Sequence, residues 1–158
     1  AGTVGEFVNM GLLVVALLNA ANNAAMRTAL AVQDGPHVLP LFHYTSSSKD
    51  TLEVAGEASF VPSDYSLTGR TTTLTLVAVG RVTSVAQTAT LELVNSAGSV
   101  VATLTWTETT PTGVRKTASV TLPGSAEIWQ ARVSCTGVTD PLTDYALFGG
   151  AHVRITWS

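Results

Sequence analysis

The sequence predicts a mainly β fold: an antiparallel β-sandwich, jelly-roll-like and of about eight strands, preceded by an N-terminal α-helix. Three observations carry this. From residue 70 onward, apolar residues recur at every second position in segment after segment. Short clusters of Gly, Pro, Asn and Ser separate those segments, and residues 6–32 hold no proline and are rich in Leu, Ala and Met. A period of two lines one face of a pleated strand, so each one-sided strand needs a second sheet to cover it. At 158 residues the chain is long enough to build one such core without metal or disulfide staples.

The chain divides into residues 1–33, a helical oligomerisation or anchoring segment, residues 34–50, a connector, and residues 51–158, the sandwich. In the first region Asp34-Gly35-Pro36 supplies a helix stop. Read in sevens, Phe7, Val14, Ala21 and Thr28 share one column and Met10, Leu17, Ala24 and Ala31 another, which makes a seam for a partner helix. Leu12, Leu13, Val15 and Leu18 widen the apolar surface almost all round. A helix packed on its own sandwich, or a strand over residues 12–18, therefore stays open beside a self-associating helix. The residues expected to make the oligomer or partner interface are Phe7, Met10, Leu13, Val14, Leu17 and Leu18.

In the connector, Pro36 and Pro40 disfavour helix and residues 46–50 form a polar loop, leaving room for a short or edge strand at residues 39–44. The β pattern starts weakly at 52–55 and 59–61. It strengthens at 72–79, 81–85, 88–94, 100–107, 114–122, 128–136 and 151–157. Asn95-Ser96-Ala97-Gly98-Ser99 and Thr110-Pro111-Thr112-Gly113 read as tight hairpin connections, and residues 137–150 as a long loop. Gly149-Gly150, with no helix after it, reads as a bulge or a close backbone approach.

Reactive chemistry finds little support. His37, His43 and His152 lie far apart, and neither His-x-x-x-His nor Cys-x-x-Cys spacing occurs, so no sequence-local zinc site is expected. A Gly-x-Ser-x-Gly elbow is absent. Cys135 falls in phase with Trp129 and Val133 and reads as a buried small hydrophobe. Asp140 and Asp144, with Asp64 or Glu57, are the loose carboxylate set that calcium would use, although no EF-hand spacing supports it. The expectation is no enzyme and no cofactor. Trp106, Trp129 and Trp157 share the apolar phase of their strands and read as core. Tyr65, Tyr145 and Phe148 fall in expected loops and are the candidate ligand surface, with glycans as the ligand class.

Composition points to assembly. Hydrophobic residues make up 46% of the chain and charged ones 12%, about half the usual share, so Ser, Thr, Asn and Gln must cover the exterior. With a mean hydropathy of +0.33, part of that exterior is expected to be buried against another subunit. The net charge of −3 and scattered basic residues argue against nucleic acid. The apolar run at residues 11–18 is too short to span a bilayer and has no basic residue before it, so neither a membrane span nor an export signal is expected.

An apolar N-terminal segment, a Pro-bearing connector and a Thr-rich sandwich together resemble tailed-phage capsid decoration and head-fibre proteins. That resemblance implies a homo-oligomer, commonly a trimer, bound to viral coat protein in a virion assembled in the host cytoplasm. It rests on layout and carries over no individual residues. The other open readings are a carbohydrate- or receptor-binding module, a small hydrolase and a coat subunit.

Overall fold

The computed structural model describes residues 36–158. The expected N-terminal helix and its interface residues, Phe7, Met10, Leu13, Val14, Leu17 and Leu18, lie outside the described residues. Nine strands follow: β1 (His37–Phe42), β2 (Thr45–Ser47), β3 (Glu53–Phe60), β4 (Thr72–Val82), β5 (Thr88–Val94), β6 (Val100–Trp106), β7 (Val114–Val120), β8 (Glu127–Thr136) and β9 (Ala146–Trp157). Among the described residues the only helical piece is a single 3-10 turn at Pro62–Asp64.

All the strand pairs are antiparallel and fall into two sheets. One runs β1-β9-β4-β7, with β2 also pairing with β9, and the other runs β3-β8-β5-β6. Both edge strands of the stretch expected as a connector, β1 and β2, thus lie against the last strand of the chain. Their inward faces supply Leu41 and Ser47, and Pro40 is placed on an edge, where its missing N–H leaves no gap in the ladder.

The alternating residues meet between the sheets as expected. Leu74, Leu76 and Ala78 of β4, with Val153 and Ile155 of β9, face Leu91 and Leu93 of β5 and Ala131 and Val133 of β8 in one core. Trp106 and Trp129 are fully buried, and Cys135 lies buried beside them. Each indole N–H finds an acceptor: Trp106 donates to the Val114 carbonyl at 2.7 Å, Trp129 to Glu127 Oε2 at 3.0 Å and the half-buried Trp157 to the Tyr65 carbonyl at 2.6 Å. Trp106 and Trp129, fully buried with satisfied N–H groups, are packing residues, and Trp157 packs against the core from its edge.

Where the strands differ from expectation, the cause is a break in the period-two pattern. Residues 52–55 and 59–61 belong to one strand, β3, whose Ala55 is an extra residue between the pairs Val54↔Arg132 and Gly56↔Ala131. Residues 72–85 likewise hold one strand, β4, opposite a bulge in β9: Ala78 pairs with Ala151 and Gly80 with Phe148, so Gly149 and Gly150 together oppose Val79 alone. The long loop therefore ends at Tyr145, and β9 begins seven residues before the Val153 that marks its clear alternation.

Candidate binding surfaces

The three residues expected to form a ligand surface are not brought together. Phe148 lies in β9, not in a loop, and is 0% exposed, edge-on to Trp106 with ring centroids 5.6 Å apart. The bulge reverses the phase of β9 at Gly149-Gly150, so Phe148 and Ala151 both point inward although three positions separate them. Tyr65 is half-buried in an aromatic series that closes one end of the sandwich. It stacks on Phe60 at 5.1 Å, Phe60 stacks on Trp129 at 4.6 Å, and His37 meets Trp157 edge-on at 5.2 Å. Tyr145 immediately precedes β9, at the far end of the strand from Trp157, and its carbonyl accepts from the Thr83 amide at 3.1 Å.

At the Tyr145 end a shallow hollow of about 510 Å³ is lined by Tyr44, Ser46, Lys49, Glu53, Leu142 and Tyr145 among others. Tyr44 is 66% exposed and Leu142 88%. Tyr44 carried no signal of its own in the sequence, because it follows a short edge strand and gains its neighbour only when β2 folds onto β9. Lys49 and Glu53 form an ion pair at the rim.

The loop carboxylates serve the loop itself. Asp144 Oδ2 accepts from the Thr139 hydroxyl at 2.6 Å, the Thr139 amide at 2.9 Å and the Asp140 amide at 3.2 Å, and Asp140 Oδ1 accepts from the Leu142 amide. The Thr139 hydroxyl and these amides hold the Asp144 carboxyl below the usual carboxylate range. Asp64 sits in the 3-10 turn beside Tyr65, and Glu57 lies on β3, where it accepts from Gln130. Among the described residues no group of three His, Cys, Asp or Glu side chains is placed to hold a metal ion. Burial raises the Cys135 thiol above its ordinary value, which keeps it protonated and inert.

A different feature occupies the outer face of the five-stranded sheet. His152 and Arg154 of β9, Arg81 of β4 and Arg115 of β7 alternate with the inward residues of their strands and point away from the core. His152 pairs with Val77, Arg154 with Thr75, and Val79 with Arg115. The long side chains cover Val77, which is only 2% exposed although it lies on this outer face. Burial, and then the nearby Arg115 and Arg154 charges, push the His152 imidazole below its ordinary range.

No family model and no curated protein matches the sequence. Among solved structures, the chain is similar to a Bacillus thuringiensis insecticidal delta-endotoxin, Cry8Ea1, at 9% identity and a TM-score of 0.43. That match covers 73% of this chain and 19% of the toxin. It is also similar to a protein of the T13 IBDV viral particle (14% identity, TM-score 0.34, 77% of this chain and 31% of that one). A third match is the bacteriophage CBA120 tailspike protein 4 (12% identity, TM-score 0.27, 89% of this chain and 21% of the tailspike). The chain thus spans less than a third of each, and at these scores the likeness assigns it no role. Among the described residues no helix is long and apolar enough to cross a membrane.

Proposed function

We propose that this chain is a non-enzymatic structural protein of a virion, a homo-oligomer that attaches to coat subunits as a capsid decoration or head-fibre protein. One observation carries the reading: the two sheets fill each other's inner faces, and the chain enters this closed sandwich at an edge strand, His37–Phe42. The apolar residues Phe7, Met10, Leu13, Val14, Leu17 and Leu18 precede that edge. Their burial against neighbouring subunits would remove apolar area worth about 25 cal/mol per Å² from water, and symmetry would multiply each contact. The strand order, with β1-β9-β4-β7 over β3-β8-β5-β6, is that of a jelly roll, a scaffold used by capsid and lectin domains alike. Scaffold alone does not choose between them; the low charge and the apolar leading segment favour assembly.

The decisive measurement is the mass in solution of the purified full chain. A trimer of the 16.4 kDa chain is expected, and Leu13→Asp with Leu17→Asp is expected to return it to one chain. A monomeric wild type would overturn the reading.

The exposed Tyr44, set beside Tyr145 in one hollow, supports a second reading as a carbohydrate- or receptor-binding module. Glycan-array binding that Tyr145→Ala abolishes, with the fold intact, would favour it.

A further inference from the structure

The outer face of the five-stranded sheet concentrates positive charge on a chain whose net charge is −3. Arg81, Arg115, His152 and Arg154 all project there. The positions between them are Thr75, Thr117, Ser119, Val77 and Val79, and no Asp or Glu occupies an outward position of β1, β9, β4 or β7. Among the described residues none of these four side chains makes an ion pair. Arg154 Nε is shielded from water and has no hydrogen-bond acceptor. Surfaces ordinarily intersperse the two signs, because clustered like charges repel and a shielded donor without a partner costs free energy. An anion seated on this face relieves the clustering of like charge.

The same face has shape. Val38, Pro40 and Phe42 of β1, Val77 and Val79 of β4, and the side-chain-free Gly149-Gly150 bulge enclose a hollow of about 300 Å³ whose rim carries His43, Arg115 and His152. That size lies at the small-molecule end of binding sites, and an apolar floor beside the Arg115 guanidinium and the His152 imidazole matches a ring with a C–H face and an acidic substituent. A nucleic-acid strand would need a longer basic stripe than three arginines and a histidine on three adjacent strands provide. A protein partner would need a broad flat contact, not a local hollow.

We propose that this hollow binds an acidic saccharide, its ring resting on Val79, Pro40 and Val38 and its carboxylate or sulfate held by Arg115 and His152. The site is separate from the Tyr44 hollow and does not depend on oligomerisation. A trimer that binds no sugar acid would sink this proposal alone, and a monomer that binds one would leave it standing. His152 gives the site a pH dependence. The groups facing it are Arg154 on its own strand, Arg115 across β4, His43 on the rim of the same hollow and only uncharged residues on β4 and β1, and burial with the two arginines lowers its pKa, so in the empty site it is neutral at pH 7. A bound anion stabilises the imidazolium, and binding therefore strengthens as pH falls through the histidine range.

The test is calorimetric or NMR titration of the full chain with N-acetylneuraminate, glucuronate and a sulfated monosaccharide, against glucose, inorganic sulfate and hexaglutamate. At least one sugar acid is expected to bind more tightly than any of the three controls, and more tightly at about pH 5.5 than at about pH 7.5. Arg115→Gln, an exposed position whose substitution leaves the core intact, should weaken it by about tenfold. His152→Gln should abolish the pH dependence. Glucose binding as well as the acids, sulfate binding as tightly as the sugar acids, hexaglutamate binding more tightly than all of them, or no binding at all would each overturn the proposal.

Discussion

Gly80 has no side chain because the Trp106 indole occupies the place where one would begin. A Cβ there would lie 2.7 Å from Trp106 Cδ2, inside any tolerable contact, and the indole is itself pinned by its bond to the Val114 carbonyl. Gly80→Ala is therefore expected to destabilise the sandwich by about 1–3 kcal/mol through overpacking. In a Trp106→Leu background, chemical denaturation should show that penalty shrink, since the obstructing ring is gone. Asp144 offers a pH-dependent counterpart. Its carboxyl is held low by the Thr139 hydroxyl and neighbouring amides, so its contribution is present above the ordinary carboxylate range and is lost as pH falls through the folded value. The protection of the Thr139 and Asp140 amides against hydrogen exchange, relative to the unfolded chain at the same pH, is expected to fall between neutral pH and about pH 3, and Asp144→Ala should show low protection throughout.

At the scale of the element, the devices that shape the strands are bulges and one buried amide. Gly150 adopts φ +123°, and a Cβ there would stand 2.9 Å from the His43 carbonyl oxygen. Gly150→Ala should cost about 1–3 kcal/mol, because it strains the residue that reverses the phase of β9. Thermal unfolding measures it. Gln87, fully buried after the turn from β4 to β5, accepts through Oε1 from the Thr83 amide, the Ser84 amide and the Thr83 hydroxyl at 3.1, 2.9 and 3.1 Å. Truncation to Ala leaves the Ser84 amide without an acceptor, a loss of about 1–3 kcal/mol that urea denaturation would register. These features also mark the limit of pattern reading. Alternation found the clear stretches of β4 through β9, but period-two extrapolation back from Val153 puts Phe148 outside, and only the two-for-one pairing opposite Val79 turns it in.

For the molecule as a whole, the two outer faces differ in sign. One sheet carries Arg81, Arg115, His152 and Arg154 outward. On the other, Glu92 lies opposite Arg132 and Glu57 opposite Gln130, whose amide oxygen accepts from Arg132. Assembly is the property that the leading segment is proposed to supply. A chain reduced to residues 36–158 should fold, since its core is filled from both sheets, and should sediment as a monomer. Full assembly of that fragment would remove residues 1–35 from the interface.

By itself the amino-acid sequence determined the class of this protein. One-sided apolar strands cannot stay dissolved singly, so Leu74, Leu91, Val133 and Ile155 could only end in a shared interior, with Trp106, Trp129 and Cys135 among them. Tertiary structure alone decided which surfaces exist. The pairing of β1 and β2 with β9 puts Tyr44 beside Tyr145, the bulge withdraws Phe148, and the order β9-β4-β7 gathers Arg154, His152 and Arg115 from positions up to 39 residues apart. Local periodicity encodes which face of a strand is apolar, whereas neighbours across a sheet follow from strand order and register, which no short stretch of chain contains.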